Sequence, residues 1–485
     1  MRILCLNPGS SEKGSKNIIR DFVYGCWCDG RRIGGMQMPP TALLYVASIL
    51  KKGKHDVTFL DETIEPDRYA KMLENSFREF DTVVMMVSTN SFLADAKKLQ
   101  EIKNLHPGIT SIIFGSHPTF LPESSISESA IDFLVFKEPE FAILELLDAI
   151  DANRSPYDVK GIGLRHENGN LYRTEEREYF NMNDLPRIDT SLLATNLDYF
   201  NPVVKRVPFI TMQTSRGCPA ECNFCTVPFF YGKTLRVRSA KKVLEDIRYY
   251  ASQGYKEIFF RDETFTAFKK RNIIICETMI KESIDITWIA NGRVDLIERE
   301  EMRLMKEAGC HMLKFGVESG NNQILHNLNK GTTIQQCRHV FRMAHEVGID
   351  THAHVMIGCP GETEKTINNT INFVKEIDPT TASFGILTPY PGTGLFNQVA
   401  QSNKKIKDGT AASMDILHTR AFYNETFCDL SPEFLTSSVN EAYRKFYMRL
   451  PYLIRWIKRI NSKDEFFRLL IAGTNIFQFA LSGKK

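Results

Sequence analysis

Thr214-Ser215-Arg216-Gly217-Cys218-Pro219-Ala220-Glu221-Cys222-Asn223-Phe224-Cys225 packs three of the eleven cysteines into eight positions, spaced C-x3-C-x2-C. Thiolates are soft ligands, and three on one tight loop suit three irons of a cubane iron–sulfur cluster. No fourth cysteine lies nearby in sequence, so one iron of a [4Fe–4S] centre is left open to a ligand from outside the protein. A zinc site or three structural thiols would use the same residue type. Zinc sites favour two C-x2-C-like pairs or added histidines, and neither flanks this loop.

On either side of the loop, short apolar runs alternate with helical patterns. Before it, Arg2–Leu6, Val57–Leu60, Thr82–Ser88, Ser111–Gly115 and Ile131–Phe136 read as buried parallel strands, with helices such as Ala42–Lys52 and Leu93–Lys103 between them. This alternation predicts an α/β fold with a doubly wound, Rossmann-like open sheet, whose ligands bind beyond the C-terminal strand ends. Residues 152–207 read as a connector holding one hairpin, Gly161–Arg165 with Asn170–Arg173. From Phe209 the alternation resumes. Phe209–Gln213, Glu257–Phe260, Thr287–Ala290, Met312–Gly316, Thr351–Ile357 and Ala382–Leu387 give six strands, with the cysteine loop at the end of the first. Closed into a β/α barrel, such units would carry reactive groups on the loops after their strands. The expected division is 1–150, a connector 151–207, a barrel 208–400 and a helical, basic region 401–485.

The C-x3-C-x-aromatic-C arrangement of Cys218, Cys222, Phe224 and Cys225 resembles the signature of radical S-adenosylmethionine (SAM) enzymes. Gln213 to Pro219, Tyr231-Gly232-Lys233 and Met38-Pro39-Pro40 look like the branch that also binds cobalamin. The resemblance implies a partial, TIM-like (β/α)6 barrel and three cofactors: a [4Fe–4S] cluster on the cysteines, SAM and cobalamin. It further implies Asp262 or Glu263 at the amino group of SAM, Arg293 at its carboxylate, Glu318-Ser319 at its ribose and backbone at Gly358 near its adenine. Gly115, Ser116 and His117 would line the cobalamin site, and Pro389-Tyr390-Pro391-Gly392-Thr393 would close beside both cofactors. No Asp-x-His-x-x-Gly motif occurs, so cobalamin is expected without a histidine on cobalt.

Composition sets the remaining bounds. At 43% hydrophobic and 25% charged, 485 residues suffice for two or three ordinary cores. No secretory h-region or long apolar run is evident, and an oxygen-sensitive cluster fits a cytoplasmic setting. Cys26-Trp27-Cys28 reads as free thiols. His352, His354 and Met356 share one face of a strand, which is expected to pack outward under helices. From Glu441 onward there are ten Lys/Arg against three Asp/Glu, a local charge of +7 in a chain of net +3. There Leu450, Leu453, Ile454, Ile457 and Ile460 recur at helical spacing, opposite Arg455, Lys458 and Arg459. Such a helix can touch an anionic membrane, but the expectation is that its apolar stripe docks on its own protein. The tail also resembles that of anaerobic magnesium-protoporphyrin cyclase and hopanoid-modifying enzymes.

The reading is therefore a cobalamin-dependent radical SAM methyltransferase acting on a small or lipid-like substrate. It would be reduced by a donor such as flavodoxin or ferredoxin, with no nucleic-acid partner. Cyclisation or rearrangement with the same cofactors is the alternative reaction. A cobalamin-binding regulator with a degenerate barrel is the alternative class, and the intact cysteine triad speaks against it.

Overall fold

In the computed structural model, which describes residues 1–9, 18–19, 30–31, 33–193, 199–402, 421, 423–460 and 462–483, two parallel sheets follow one another along the chain. Cys26-Trp27-Cys28 lies outside the described residues. The first sheet is built from β1 (Arg2–Asn7), β2 (Asp56–Asp61), β3 (Thr82–Met86), β4 (Thr110–Phe114) and β5 (Phe133–Val135), ordered β2-β1-β3-β4-β5 and parallel throughout. Strand order reverses between β1 and β3, which makes the crevice beyond their C-terminal ends the expected ligand site. The anticipated hairpin forms as β6 (Ile162–Arg165) and β7 (Leu171–Arg173) and extends the β5 edge of this sheet antiparallel.

Alternation along the strands dictates the layers. On β1, Ile3 and Cys5 join a core with helices α1 (Thr41–Lys52) and α3 (Glu140–Asp151), while Leu4 and Leu6 join a separate core with α2 (Phe92–Leu105). Both faces are thus covered, as a doubly wound sheet requires. Helix α1 begins after Pro40, ends at Gly53 and places Lys51 and Lys52 in its last turn, where cations suit the helix dipole. Its residues Thr41 to Leu50 are all buried. They touch both sheets, since the Thr41 hydroxyl lies 2.8 Å from that of Thr211 and the Tyr45 hydroxyl accepts from the Gln213 amide at 2.9 Å. The core under α1 runs without a break into the second sheet.

That second sheet comprises β8 (Phe209–Met212), β9 (Glu257–Phe260), β10 (Thr287–Gly292), β11 (Cys310–Glu318), β12 (Asp350–Ile357) and β13 (Thr381–Ile386), in sequential order and all parallel. The six expected strands are present. Helix α4 (Val227–Phe230) is a single turn after the cysteine loop, whereas α5 (Ala240–Ser252) is capped by the Ser239 hydroxyl. Further on, α6 (Ile334–Val347) opens on a Thr333/Gln336 capping box and closes on Gly348, and α7 (Glu364–Ile377) opens on a second box at Thr363.

One expectation fails on β12. Its apolar residues Ala353, Val355 and Ile357 join the core containing Phe341 and Ala344 of α6 and Ile371 and Val374 of α7. Period-two alternation then turns His352, His354 and Met356 to the opposite, barrel-interior face. There His352 meets Thr381 at 2.7 Å and His354 meets Ser383 at 2.9 Å on β13. Burial, with Lys314 nearby, holds the His352 imidazole well below its usual pKa. The same interior face carries Phe209, Phe259, Ile289 and Met312, and Met38 packs among them from the first sheet's side.

Among the described residues, the C-terminal region holds three helices: α8 (Pro432–Tyr447), α9 (Leu450–Arg459) and α10 (Lys463–Ser482). Tyr447 of α8 accepts from the Ala382 amide at 3.0 Å and so covers the open edge at β13. The expected docking of the α9 stripe is overturned. Leu450, Leu453 and Ile454 are exposed, while Tyr452 is buried and Arg455 pairs with Asp378. The protein-facing side of α9 is satisfied by an aromatic ring and a salt bridge, which leaves Leu450, Leu453 and Ile454 outside. Among the described residues, no helix is long and apolar enough to cross a membrane.

Candidate active site

The cysteine loop leaves β8 through a two-residue antiparallel bridge, Ser215-Arg216 against Arg236-Val237. Gly217 then turns at φ +89°, where a Cβ would stand 2.2 Å from the Thr234 carbonyl, so only glycine fits. The Cys218 amide donates to Gly232 at 3.2 Å, and the Cys225 amide donates to Cys222 at 3.1 Å. Asn223 fixes the middle of the loop. Its amide donates to Leu328, its side chain to Asn327 at 2.7 Å, and its carbonyl accepts from Leu395.

The three thiols are close enough for their charges to couple. Burial pushes the Cys225 thiol up, with Cys222 and Cys218 adding to the effect, and burial likewise raises Cys218. Arg293 and Lys330 are the cations that act against these shifts. Among the described residues, no three His, Cys, Asp or Glu side chains converge on a point suited to a single metal ion. A cubane instead takes each thiolate on a different iron, and iron's positive charge stabilises the thiolate form that burial disfavours. The donor set fits a cluster.

Around this loop the structure separates the proposed SAM residues into those already engaged and those left open. Asp262 is fully buried and committed: it accepts from the Thr214 amide at 2.5 Å, from the Thr214 hydroxyl and from Ser215 at 2.7 Å. It is a brace for the start of the cysteine loop. Glu263 is the opposite case. Both its carboxylate oxygens are buried with no hydrogen-bond partner elsewhere among the described residues, and burial pushes its pKa well above the usual carboxylate range. Its charge is felt at Cys218. An unpartnered buried carboxyl beside the triad is a site waiting for a donor.

Arg293 is gripped by Asp295 through two 3.0 Å bonds and also reaches the Lys330 carbonyl. Glu318 sits at φ +60° with one oxygen 2.6 Å from Lys330, whose ammonium lies 5.8 Å from the Phe224 ring centre. Gly316 makes room for this pair, since a Cβ there would stand 2.3 Å from Glu318 Oε1 and 2.7 Å from Lys330 Nζ. Ser319 is fully buried and turns to Thr370 of α7 at 3.1 Å, so its hydroxyl is engaged there. Gly358 adopts φ +81° and donates to Glu362 Oε2 at 2.6 Å, while Asn424 holds its carbonyl. Phe224 packs with Cys222, Cys359 and Leu387.

At the ends of the first sheet, Gly115 adopts φ +121°, and a Cβ would stand 2.4 Å from the Val87 carbonyl. His117 is buried and stacks on Phe92 at 3.8 Å between ring centres. The Ser116 hydroxyl and both amide atoms of Asn90 are buried without hydrogen-bond partners among the described residues. A glycine cradle and orphaned polar atoms beyond the C-terminal ends of β3 and β4, next to the switch point, fit a large polar ligand. Phe120 next to this cradle lies 6.2 Å from Phe230, in α4 just after Cys225. A Cβ on Gly392 of the last barrel loop would come within 2.5 Å of the same Phe120 ring. The two sheets therefore open onto one shared space.

Buried charges that no sequence motif marks join the sheets there. Arg216, one residue before Gly217, is buried and binds Glu140 at 2.5 and 3.1 Å and Glu138 at 3.2 Å, while Arg236 binds Glu138 at 2.6 Å. Burial opposes Arg216's charge, yet Glu140, Tyr231 and Glu138 more than offset it and hold its pKa well above the ordinary value. The only signal in the sequence is an acid pair, Glu138-Pro139-Glu140, placed between a strand and a helix.

Two family models match: the radical SAM superfamily over residues 212–374 and the B12 binding domain over 34–147. An uncharacterized methyltransferase of Pyrococcus horikoshii is 32% identical over 437 residues, covering 88% of this chain and 91% of that protein. The chain belongs to the B12-binding radical SAM enzymes. Another relative, the anaerobic magnesium-protoporphyrin IX monomethyl ester cyclase of Rubrivivax gelatinosus, is 29% identical over 415 residues, covering 82% of this chain and 70% of the other. The fold is that of the cobalamin-dependent S-adenosylmethionine radical enzyme OxsB with aqua-cobalamin bound, with a TM-score of 0.66 at 18% identity over 93% of this chain and 72% of that one. The protein is accordingly a radical SAM enzyme whose cofactors are SAM, a [4Fe–4S] cluster and cobalamin.

Proposed function

We propose that this radical SAM enzyme methylates an unactivated carbon of a small or lipid-like substrate in the cytoplasm, with a flavodoxin- or ferredoxin-like reductant. When bound, the cluster and SAM supply a 5′-deoxyadenosyl radical and cobalamin supplies the methyl group. Cys218, Cys222 and Cys225 hold the cluster. Glu263 takes the amino group of SAM, because among the described residues it is a carboxyl near the triad with no partner elsewhere. Arg293, steadied by Asp295, faces the SAM carboxylate, Glu318 accepts from the ribose, and the Gly358 backbone borders the adenine. Gly115 and Ser116 cradle cobalamin with His117 beside them, and no histidine binds cobalt. Residues 1–150 form the cobalamin unit and 208–400 the barrel.

The observation that carries this reading is the Phe120 contact with both Phe230 and Gly392. It brings the cradle of the first sheet to the loop that holds the cysteines. Radical formation and methyl delivery at one carbon need that proximity, since prepaid orientation supplies much of the rate. The cyclase relative supports a second reading, oxidative cyclisation without methyl transfer. Anaerobically reconstituted enzyme, incubated with cell extract and methyl-labelled SAM, tests the first reading: a labelled, methyl-heavier product is expected by mass spectrometry. Products altered in mass without label would favour the second.

A further inference from the structure

The last helix is built inside out. Between Phe466 and Ser482, α10 has one charged residue, Arg468, and that residue is buried against the carbonyls of Val204 and Lys205. Its solvent side instead presents Phe466, Phe467, Leu470, Ile471, Phe477 and Leu481, each between 44% and 63% exposed. Ordinary surface helices turn charge outward. Positions 466, 470, 477 and 481 fall on one stripe, which at helical rise runs about 22 Å. One short turn earlier, α9 exposes Leu450, Leu453 and Ile454 as well. Contiguous apolar surface of this extent on a protein marks a contact face.

We propose that α9 and α10 dock in the plane of an anionic lipid bilayer. Neither helix is able to cross one, so the contact is with the interface. Charge selects the partner. Lys463 opens α10, and in the sequence Lys458-Arg459 come shortly before it and Lys484-Lys485 just after the helix. The segment from Glu441 has a net charge of +7, of whose cations Arg449 and Arg455 turn inward to Asp378 and Arg468 is buried, whereas the rest of the chain, by subtraction from +3, has −4. Of the nearby acids, Asp464 is taken up by Arg468. An anionic headgroup layer complements a segment of this charge, with an apolar layer beneath it for the phenylalanines. A symmetric dimer through the same face would set like charges against each other. Arg468 anchors α10 just before β8, and Arg449 and Arg455 anchor α9 to Asp378 just before β13. These are the strand beginnings, at the end of the barrel opposite the cysteine loop, so docking leaves the loop end uncovered.

Flotation of the reconstituted holoenzyme with vesicles tests this. The enzyme is expected to float with equimolar phosphatidylcholine and phosphatidylglycerol at low salt, less so as salt rises, and weakly with phosphatidylcholine alone. Lys463→Gln should lower partitioning roughly fivefold, and Phe467→Glu with Leu470→Glu roughly tenfold or more. Retained cluster absorption shows that a variant is folded, and Leu450→Glu with Leu453→Glu gives an independent reading from α9. Wild-type enzyme that stays with neither vesicle overturns the proposal. So does a stable dimer by light scattering that Phe467→Glu with Leu470→Glu disperses, which would assign the face to a second copy.

Discussion

Adjacent acids after β9 have different tasks. Asp262 braces Thr214 and Ser215, whereas neither oxygen of Glu263 has a partner elsewhere among the described residues. Glu263→Gln should therefore weaken SAM binding roughly tenfold or more, the worth of a charge-assisted bond, while iron content is unchanged. Asp262→Asn should lower iron loading first, because the loop loses its brace. Equilibrium SAM binding and iron analysis on both variants distinguish them, and equal effects would refute the division of labour. The triad was legible because its spacing is local. The roles of Asp262 and Glu263 were not, since both follow the strand and only side-chain direction tells them apart. For His352 and His354, alternation showed that they share a face. Which face became plain only from the helix packing of Ala353, Val355 and Ile357.

At the scale of elements, the bond from the cysteine loop to the first sheet is the Arg216 cluster. Arg216→Met leaves Glu138 and Glu140 buried without their shared cation, a loss of about 3–5 kcal/mol. Denaturant unfolding should show it, and Glu140→Gln in the same chain should recover part of it; two purely additive losses would deny the coupling. Residues 76 apart in sequence meet here, which no periodicity reports. The turn after β12 titrates. Burial pushes Glu362 up to about 7 from a reference of 4.5. Between those values the folded chain keeps a proton that the unfolded chain has released, so stability falls as pH rises through the window and the loss is complete above about 7. Glu362→Gln should flatten that slope in thermal midpoints of the apoprotein. An unchanged slope would mean that the carboxyl is not protonated in the fold.

Viewed whole, the molecule brings two sheets, each legible as a run of apolar strands, to one opening through α1, the Arg216 cluster and Phe120. Strand number follows from pattern and length, and the doubly wound reading of the first sheet holds, while the β2-β1-β3-β4-β5 order comes from the structure. The tail did not follow, because amphipathic spacing alone cannot say whether the apolar or the basic side meets the protein. On α9 it is Tyr452 and Arg455 that do. Methyl transfer at this shared opening leaves its mark in the nucleoside products, which can be counted once a substrate is in hand. Each methylated product should consume two molecules of SAM, one leaving as 5′-deoxyadenosine and one as S-adenosylhomocysteine, so the two should appear in equal amounts. Substrate turnover with 5′-deoxyadenosine and almost no S-adenosylhomocysteine would contradict it.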